Sequence, residues 1–129
     1  PMFHAKIGDL DVKTFRTRHI PGGANSWADC FYSVGILLDN EVLLTGATQY
    51  DVKLLTWMDV HYDIKYIFHD CQLFNGGVHA SYEELKRLPL SMKKRMFLCH
   101  YGDAYQKFNP EEDGFLGFVK EGHFYRIDA

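Results

Sequence analysis

Short apolar runs that end abruptly in polar loops constrain this chain more than any other feature. "CFYSVGILLD" (30–39), "EVLLTG" (41–46), "IKYIFHD" (64–70) and "RMFLCHY" (95–101) are rich in strand-forming residues. Asp39-Asn40 joins the first two as a hairpin turn. "DVKTFRTRHI" (11–20) alternates, with Val12, Thr14 and Arg16 opposite Lys13, Phe15, Thr17 and His19, and predicts a further strand. "PGGANSWAD" (21–29) reads as a loop. "DVKLLTWMDV" (51–60) reads as a helix, with Leu54, Leu55 and Met58 on one face and Asp51 at its start. Ser81 with Glu84 three places on is a capping box for a helix over 81–88, which Pro89 stops. The tail, 115–128, reads as a hairpin turning at Glu121-Gly122. The order β–β–β–α–β–α–β plus hairpin predicts a mixed α/β (α+β) fold. At 129 residues the expectation is a single domain over 1–129, or part of a larger one.

A net charge of −3 argues against a general nucleic-acid or membrane-surface binder. The basic run Lys93-Lys94-Arg95 reads as a solvated edge. No apolar stretch approaches the ~20 residues of a membrane span, and no signal peptide is visible, so a cytoplasmic protein is expected. The start, Pro1-Met2, reads as one that has lost its initiator methionine. Cys30, Cys71 and Cys99 form no CxxC pair and are expected to be buried thiols in a reducing compartment.

Several strands stop at an ionisable residue: His19, His69-Asp70 and His100. His79 follows Gly76-Gly77 in the loop between the last two. If the strands lie side by side, four histidines and an aspartate converge at one sheet edge, where imidazole nitrogens suit a transition metal. His4, His61 and His123 fall outside this pattern.

"RHIPGG…SW", "VLLTGATQYD", "IFHDCQLFNGGVHASYEEL" and "MFLCHYGD" occur in the order, and at about the distances, seen in the second half of metallo-β-lactamase-fold hydrolases. The chain resembles the phosphodiesterase branch, which includes tRNA 3′-processing ribonuclease Z. It is still more similar to small cyclic-nucleotide phosphodiesterases such as the phage-encoded anti-Pycsar enzymes, from about residue 10 onward. The resemblance implies the C-terminal half of an αββα sandwich acting on cyclic-nucleotide or RNA phosphodiesters in a bacterial host. It implies His19 and His100 as metal ligands, for zinc or manganese. His79 would serve the departing phosphate oxygen, and His69 with Asp70 would stand at a His-Glu pair whose carboxylate orients that histidine. The loop Gly46–Thr48 matches one whose aspartate bridges two metal ions. Thr48 and Tyr101 are candidate substrate contacts, and Tyr50, Phe74 and Tyr101 lie near strand ends where they could stack on a base, core packing being the commoner use of any one of them.

Two departures qualify this. The bridging aspartate is replaced by Ala47, and the HxHxDH motif of the family's N-terminal half is absent. Two histidine ligands fall short of the three or four protein ligands a zinc site needs, so no turnover is expected from this chain alone. A lone half-sandwich would also expose a sheet face, with Val34, Ile36, Leu43 and Phe68 expected near it. Leaving many hundreds of Å² wet costs on the order of 10 kcal/mol, comparable to a domain's whole stability. A partner is therefore expected: a second copy, the complementary N-terminal half or another protein. The alternative to an incomplete enzyme is a catalytically dead half-domain that binds a nucleotide or a protein and oligomerises through its sheet face. Shared structural ancestry alone is a third reading.

Overall fold

The computed structural model describes residues 2–20 and 26–127. Among these residues seven strands form one mixed sheet in sequential order: β1 (Met2–Ile7), β2 (Leu10–Arg16), β3 (Val34–Leu38), β4 (Val42–Leu44), β5 (Tyr66–Asp70), β6 (Met96–Cys99) and β7 (Gly117–Phe118). The first three pairings are antiparallel and the last three parallel. Tight turns join β1 to β2 and β3 to β4, whereas the parallel neighbours from β4 onward need crossovers. Asp39 and Asn40 both adopt positive φ, as a two-residue hairpin turn demands. Among the described residues no helix is long and apolar enough to cross a membrane.

α1 (Val52–His61) begins where expected, with the Asp51 carboxylate accepting from the Leu54 amide at 3.2 Å. α2 (Tyr82–Leu85) carries the full capping box between Ser81 and Glu84. A short α3 (Leu90–Lys93), not expected from sequence, starts directly after Pro89. Proline's fixed φ and missing N–H suit it to a helix start as well as a stop.

Strand alternation sorts the sheet into two faces. Phe15, Leu37, Leu43, Ile67, Met96 and Leu98 face inward and pack with Leu55, Met58, Tyr82 and Leu85 of the helices. The opposite face carries Val12, Thr14, Val34, Ile36, Leu44, Phe68 and Phe97, all partly or largely exposed. Leu43 therefore lies in the core, one residue out of phase with the face first expected for it. Val34, Ile36 and Phe68 do lie on the open face.

The expected C-terminal hairpin is absent from the described residues. Only Gly117–Phe118 pairs, parallel to β6, and the chain then crosses the open face. There Tyr125 packs edge-on against Phe68 and Phe97, with centroids 6.0 and 4.9 Å away. β1, also unforeseen, supplies the sheet's other edge. Of the loop expected at 21–29, residues 21–25 lie outside the described residues and Trp27–Asp29 forms a single 3-10 turn.

The basic run proves mostly structural. The Arg95 guanidinium grips Asp59 at 2.7 and 3.1 Å and the Ile64 carbonyl at 2.6 Å, tying α1 to the start of β6. Lys93 donates to the Lys86 and Asp113 carbonyls. Of the three, only Lys94 stays fully solvated.

Candidate active site

β5 ends at Asp70, whose side chain is 3% exposed, and that carboxylate organises the site. It accepts the Thr48 amide at 2.9 Å and His79 Nδ1 at 2.5 Å on Oδ2, and His100 Nδ1 at 3.1 Å on Oδ1. The three arrive from separate places: the loop after β4, the loop after β5 and the residue just after β6. Convergence follows from the parallel β4–β5–β6 register, which brings these strand ends to one edge. His100 holds a left-handed φ of 61°, uncommon for a side chain with a Cβ and a recurrent feature of functional sites.

A carboxylate can only accept, so each imidazole presents Nδ1–H to it and, when neutral, keeps an unprotonated Nε2. That is how metal-ligating histidines are commonly oriented by a second group. One donor atom from each of Asp70, His79 and His100 lies within 4.8 Å of the others. His19 adjoins them, its ring 5.0 Å from His79 and 5.2 Å from Phe31. Its Nδ1 is buried with no hydrogen-bond partner among the described residues. Buried polar atoms left unsatisfied are rare, and this one has a lone pair or proton to offer a ligand. A carboxylate with two or three imidazoles is a donor set that suits zinc or manganese.

The other residues proposed from sequence fall differently. His69 turns to the core face, fully buried, with Nδ1 2.6 Å from the Asp70 carbonyl. Burial pulls its pKa below the usual histidine value, so it stays neutral. The Thr48 hydroxyl is spent on the Gln49 carbonyl, and its amide alone reaches Asp70. The Tyr101 hydroxyl donates to the Val119 carbonyl, and its ring packs against Phe118, so it anchors the tail. Tyr50 lines a polar cleft beside His79, and Phe74 is exposed.

Ala47 sits at the rim of the site. Its carbonyl accepts from the Thr17 and Ser33 hydroxyls at 2.9 and 2.7 Å, which fixes the loop from the residues just after β2 and just before β3. Gly46 precedes it at φ +62°, where a Cβ would lie 2.4 Å from the Val34 carbonyl oxygen, so only glycine fits this turn. With Asp70, Cys99 and His100, Ala47 lines a cleft of about 390 Å³ whose remaining walls include Val34, Ile36, Leu44 and Phe68. The open sheet face thus runs directly into the site. Burial pushes the thiol of Cys99, on the cleft wall, up to about 11 and that of Cys71, in the core, up to about 12, which disfavours the thiolate in both.

Residues that the sequence reading passed over hold the frame. Gln72 donates to the Phe74 and Gly76 carbonyls and shapes the loop that delivers His79. The Ala80 amide bonds the Thr48 carbonyl at 2.9 Å, locking that loop to the one at Ala47. A buried glutamine just after an apolar strand is the one signal that could have exposed Gln72.

The family model described as "Anti-Pycsar protein Apyc1" matches residues 2–125. The protein of that name from Bacillus phage BSP38 is 32% identical over 120 residues, covering 91% of this chain and 43% of its own length. Its counterparts in Bacillus phage 010DV004 and Paenibacillus harenae are each 35% identical, over 95% and 92% of this chain and 45% of their own lengths. The chain thus spans less than half the length of these relatives. By a family match over nearly all of its residues and by these identities, the chain belongs to the anti-Pycsar protein Apyc1 family.

Proposed function

We propose that the chain is the phosphate-side half of a metal-dependent phosphodiesterase site that opposes Pycsar, in a bacterial host, by acting on cyclic nucleotides. The observation that carries this reading is the Asp70 carboxylate holding both His79 and His100 at Nδ1. In this reading His19 and His100 would hold the cation, with Asp70 as a further oxygen donor beside them, and His79 stays free for proton transfer. A zinc or manganese ion bound there supplies Lewis acidity toward a phosphoryl oxygen. Asp70 fixes the tautomer and orientation of both imidazoles, and a protonated His79 gives its proton to the departing ribose oxygen. His69 acts as a positioning residue, bracing the Asp70 carbonyl from the core side. The resemblance of the chain's motifs to those of metallo-β-lactamase-fold phosphodiesterases favours the same assignment.

The remaining ligands would come from a complementary β-layer docked on the open face, which leads into the site through the apolar cleft. More than half the length of the relatives lies outside the match, which supports such a layer. Ala47 contributes no lone pair, so the reaction of the chain by itself is expected to be nil. Cyclic AMP and bis-p-nitrophenyl phosphate, incubated with the protein and manganese or zinc, should remain intact. Turnover that disappears in His100→Ala would refute the inactive reading. Elemental analysis tests the metal side: folded protein, purified without chelator, should retain zinc or manganese, and metal-free protein would sink it.

Ala47 also favours a second reading, a binding half-domain without chemistry. Calorimetry separates the two once the complementary part is supplied. Affinity for cyclic nucleotide without turnover in that complex would select the binding role.

A further inference from the structure

The second cleft, about 400 Å³, shares His79 as a wall but differs in character from the apolar one. Gln49, Tyr50, Asn75, Glu84 and Arg87 line it, and its walls are mostly polar. The volume falls within the range of small-ligand sites. Glu84 is held in place: one carboxylate oxygen accepts the Ser81 amide at 3.1 Å and the Ser81 hydroxyl accepts the Glu84 amide. The box occupies only that one oxygen. Tyr50 senses both charges of the cleft. Burial raises its pKa, Glu84 raises it further and Arg87 opposes them, so the hydroxyl stays a neutral donor.

These charges decide what kind of group the cleft can take. An anion would meet Glu84, and a bare cation would meet Arg87. An apolar ring would leave both unpaired and desolvated, which is costly. A neutral group with hydroxyls, each donor and acceptor at once, satisfies both walls. In a 3′,5′-cyclic nucleotide the phosphorus is bonded through both ester oxygens to the ribose. Whatever adjoins the phosphate next to His79 is therefore sugar.

We propose that this cleft is a sugar subsite, in which Glu84 accepts a hydrogen bond from the ribose 2′-hydroxyl while Arg87 and Asn75 donate to it. The assignment rests on the phosphodiester reading of Asp70, His79 and His100. It makes recognition depend on the ribose rather than on the base.

Calorimetric titration of the chain co-expressed with the unmatched remainder of its Bacillus phage BSP38 relative, using 3′,5′-cyclic AMP and its 2′-deoxy counterpart in the presence of manganese, tests it. A site built around a hydroxyl rejects the analogue lacking it, so the deoxy compound should bind roughly tenfold more weakly or worse. Glu84→Gln keeps the capping box, since glutamine serves equally there. It should weaken cyclic AMP several-fold and leave the deoxy compound unchanged, with circular dichroism verifying the fold. Equal affinity for the two nucleotides, or equal weakening of both in Glu84→Gln, overturns the sugar subsite and leaves the phosphodiester reading intact. Binding of neither nucleotide overturns both.

Discussion

At the scale of single residues, Asp70 and Ala47 carry opposite consequences. Asp70 is buried and receives three hydrogen bonds, so its removal strands the Thr48 amide and leaves two imidazoles without an acceptor. Asp70→Ala should cost about 3 kcal/mol, from lost charge-assisted bonds and an unsatisfied buried N–H, measured as a drop in urea-unfolding free energy. Ala47→Asp has a sign that depends on metal. Without a cation, a second carboxylate near Asp70 is repulsive and should destabilise by about 1 kcal/mol. With manganese or zinc added, the new ligand should raise affinity at least about tenfold, roughly 1.4 kcal/mol, and reverse the loss. Thermal melts with and without metal read both effects, and identical melts in the two conditions would remove position 47 from the site. His79 and His100 were readable because each follows a strand or glycine turn that the apolar pattern had already placed. His69 was not separable by motif, although alternation separates it: consecutive strand residues face opposite ways, so His69 shares the core face with Leu98 while Asp70 pairs with Cys99 on the other.

Elements show where local rules suffice and where they stop. The capping box at Ser81 and Glu84 and the cap at Asp51 are local, and both form as read. Ser81→Ala should lower stability by about 1 kcal/mol, and because Ser81 also borders the polar cleft, the same variant reports on the sugar subsite. β1 was within reach of the same reasoning. Phe3, Ala5 and Ile7 alternate with His4 and Lys6 before a Gly8 turn at φ +62°. The tail was not, because Tyr125 is drawn onto Phe68 and Phe97, more than twenty residues away, in place of local pairing. At the β1–β2–β3 end, a polar network replaces burial. Lys13 bridges Asp11 and Asn40 at 2.7 and 2.6 Å, and His4 also reaches Asp11. Hydrogen bonds from Lys13, then His4, hold the Asp11 carboxyl down at about 2. Because the folded-state value lies below the unfolded one near 3.9, the unfolded chain takes up the proton first. The contribution is complete above about pH 4 and is lost as pH falls toward 2. Lys13→Gln should move the Asp11 titration upward in carboxyl-carbon NMR and flatten that acid limb of stability.

The whole molecule is lopsided, and that asymmetry links fold to function. One sheet face is sealed by α1, α2 and the core around Tyr82. The other leaves Val34, Phe3 and Ile7 at 37, 68 and 67% exposure, with the Tyr125 tail covering only the β5–β6 portion. These exposed apolar residues fit the docking layer proposed above, and the face leads into the cleft containing Ala47, Asp70 and His100. Covering the face and completing the site would then be one event, which explains why a site with only part of a metal's ligands can persist in a stable frame. Two arms of one experiment test this. The chain alone should migrate in light-scattering chromatography as a self-associated species at micromolar concentration. Co-expression with the unmatched remainder of the Bacillus phage BSP38 relative should convert it to a one-to-one complex that retains metal. Ile36→Glu, placed on the cleft wall and away from the sealed core, should abolish both associations and leave the circular dichroism spectrum unchanged. A monodisperse monomer that ignores the remainder and is indifferent to Ile36→Glu would show that the open face is simply solvated, and would remove the complementary layer from the functional reading.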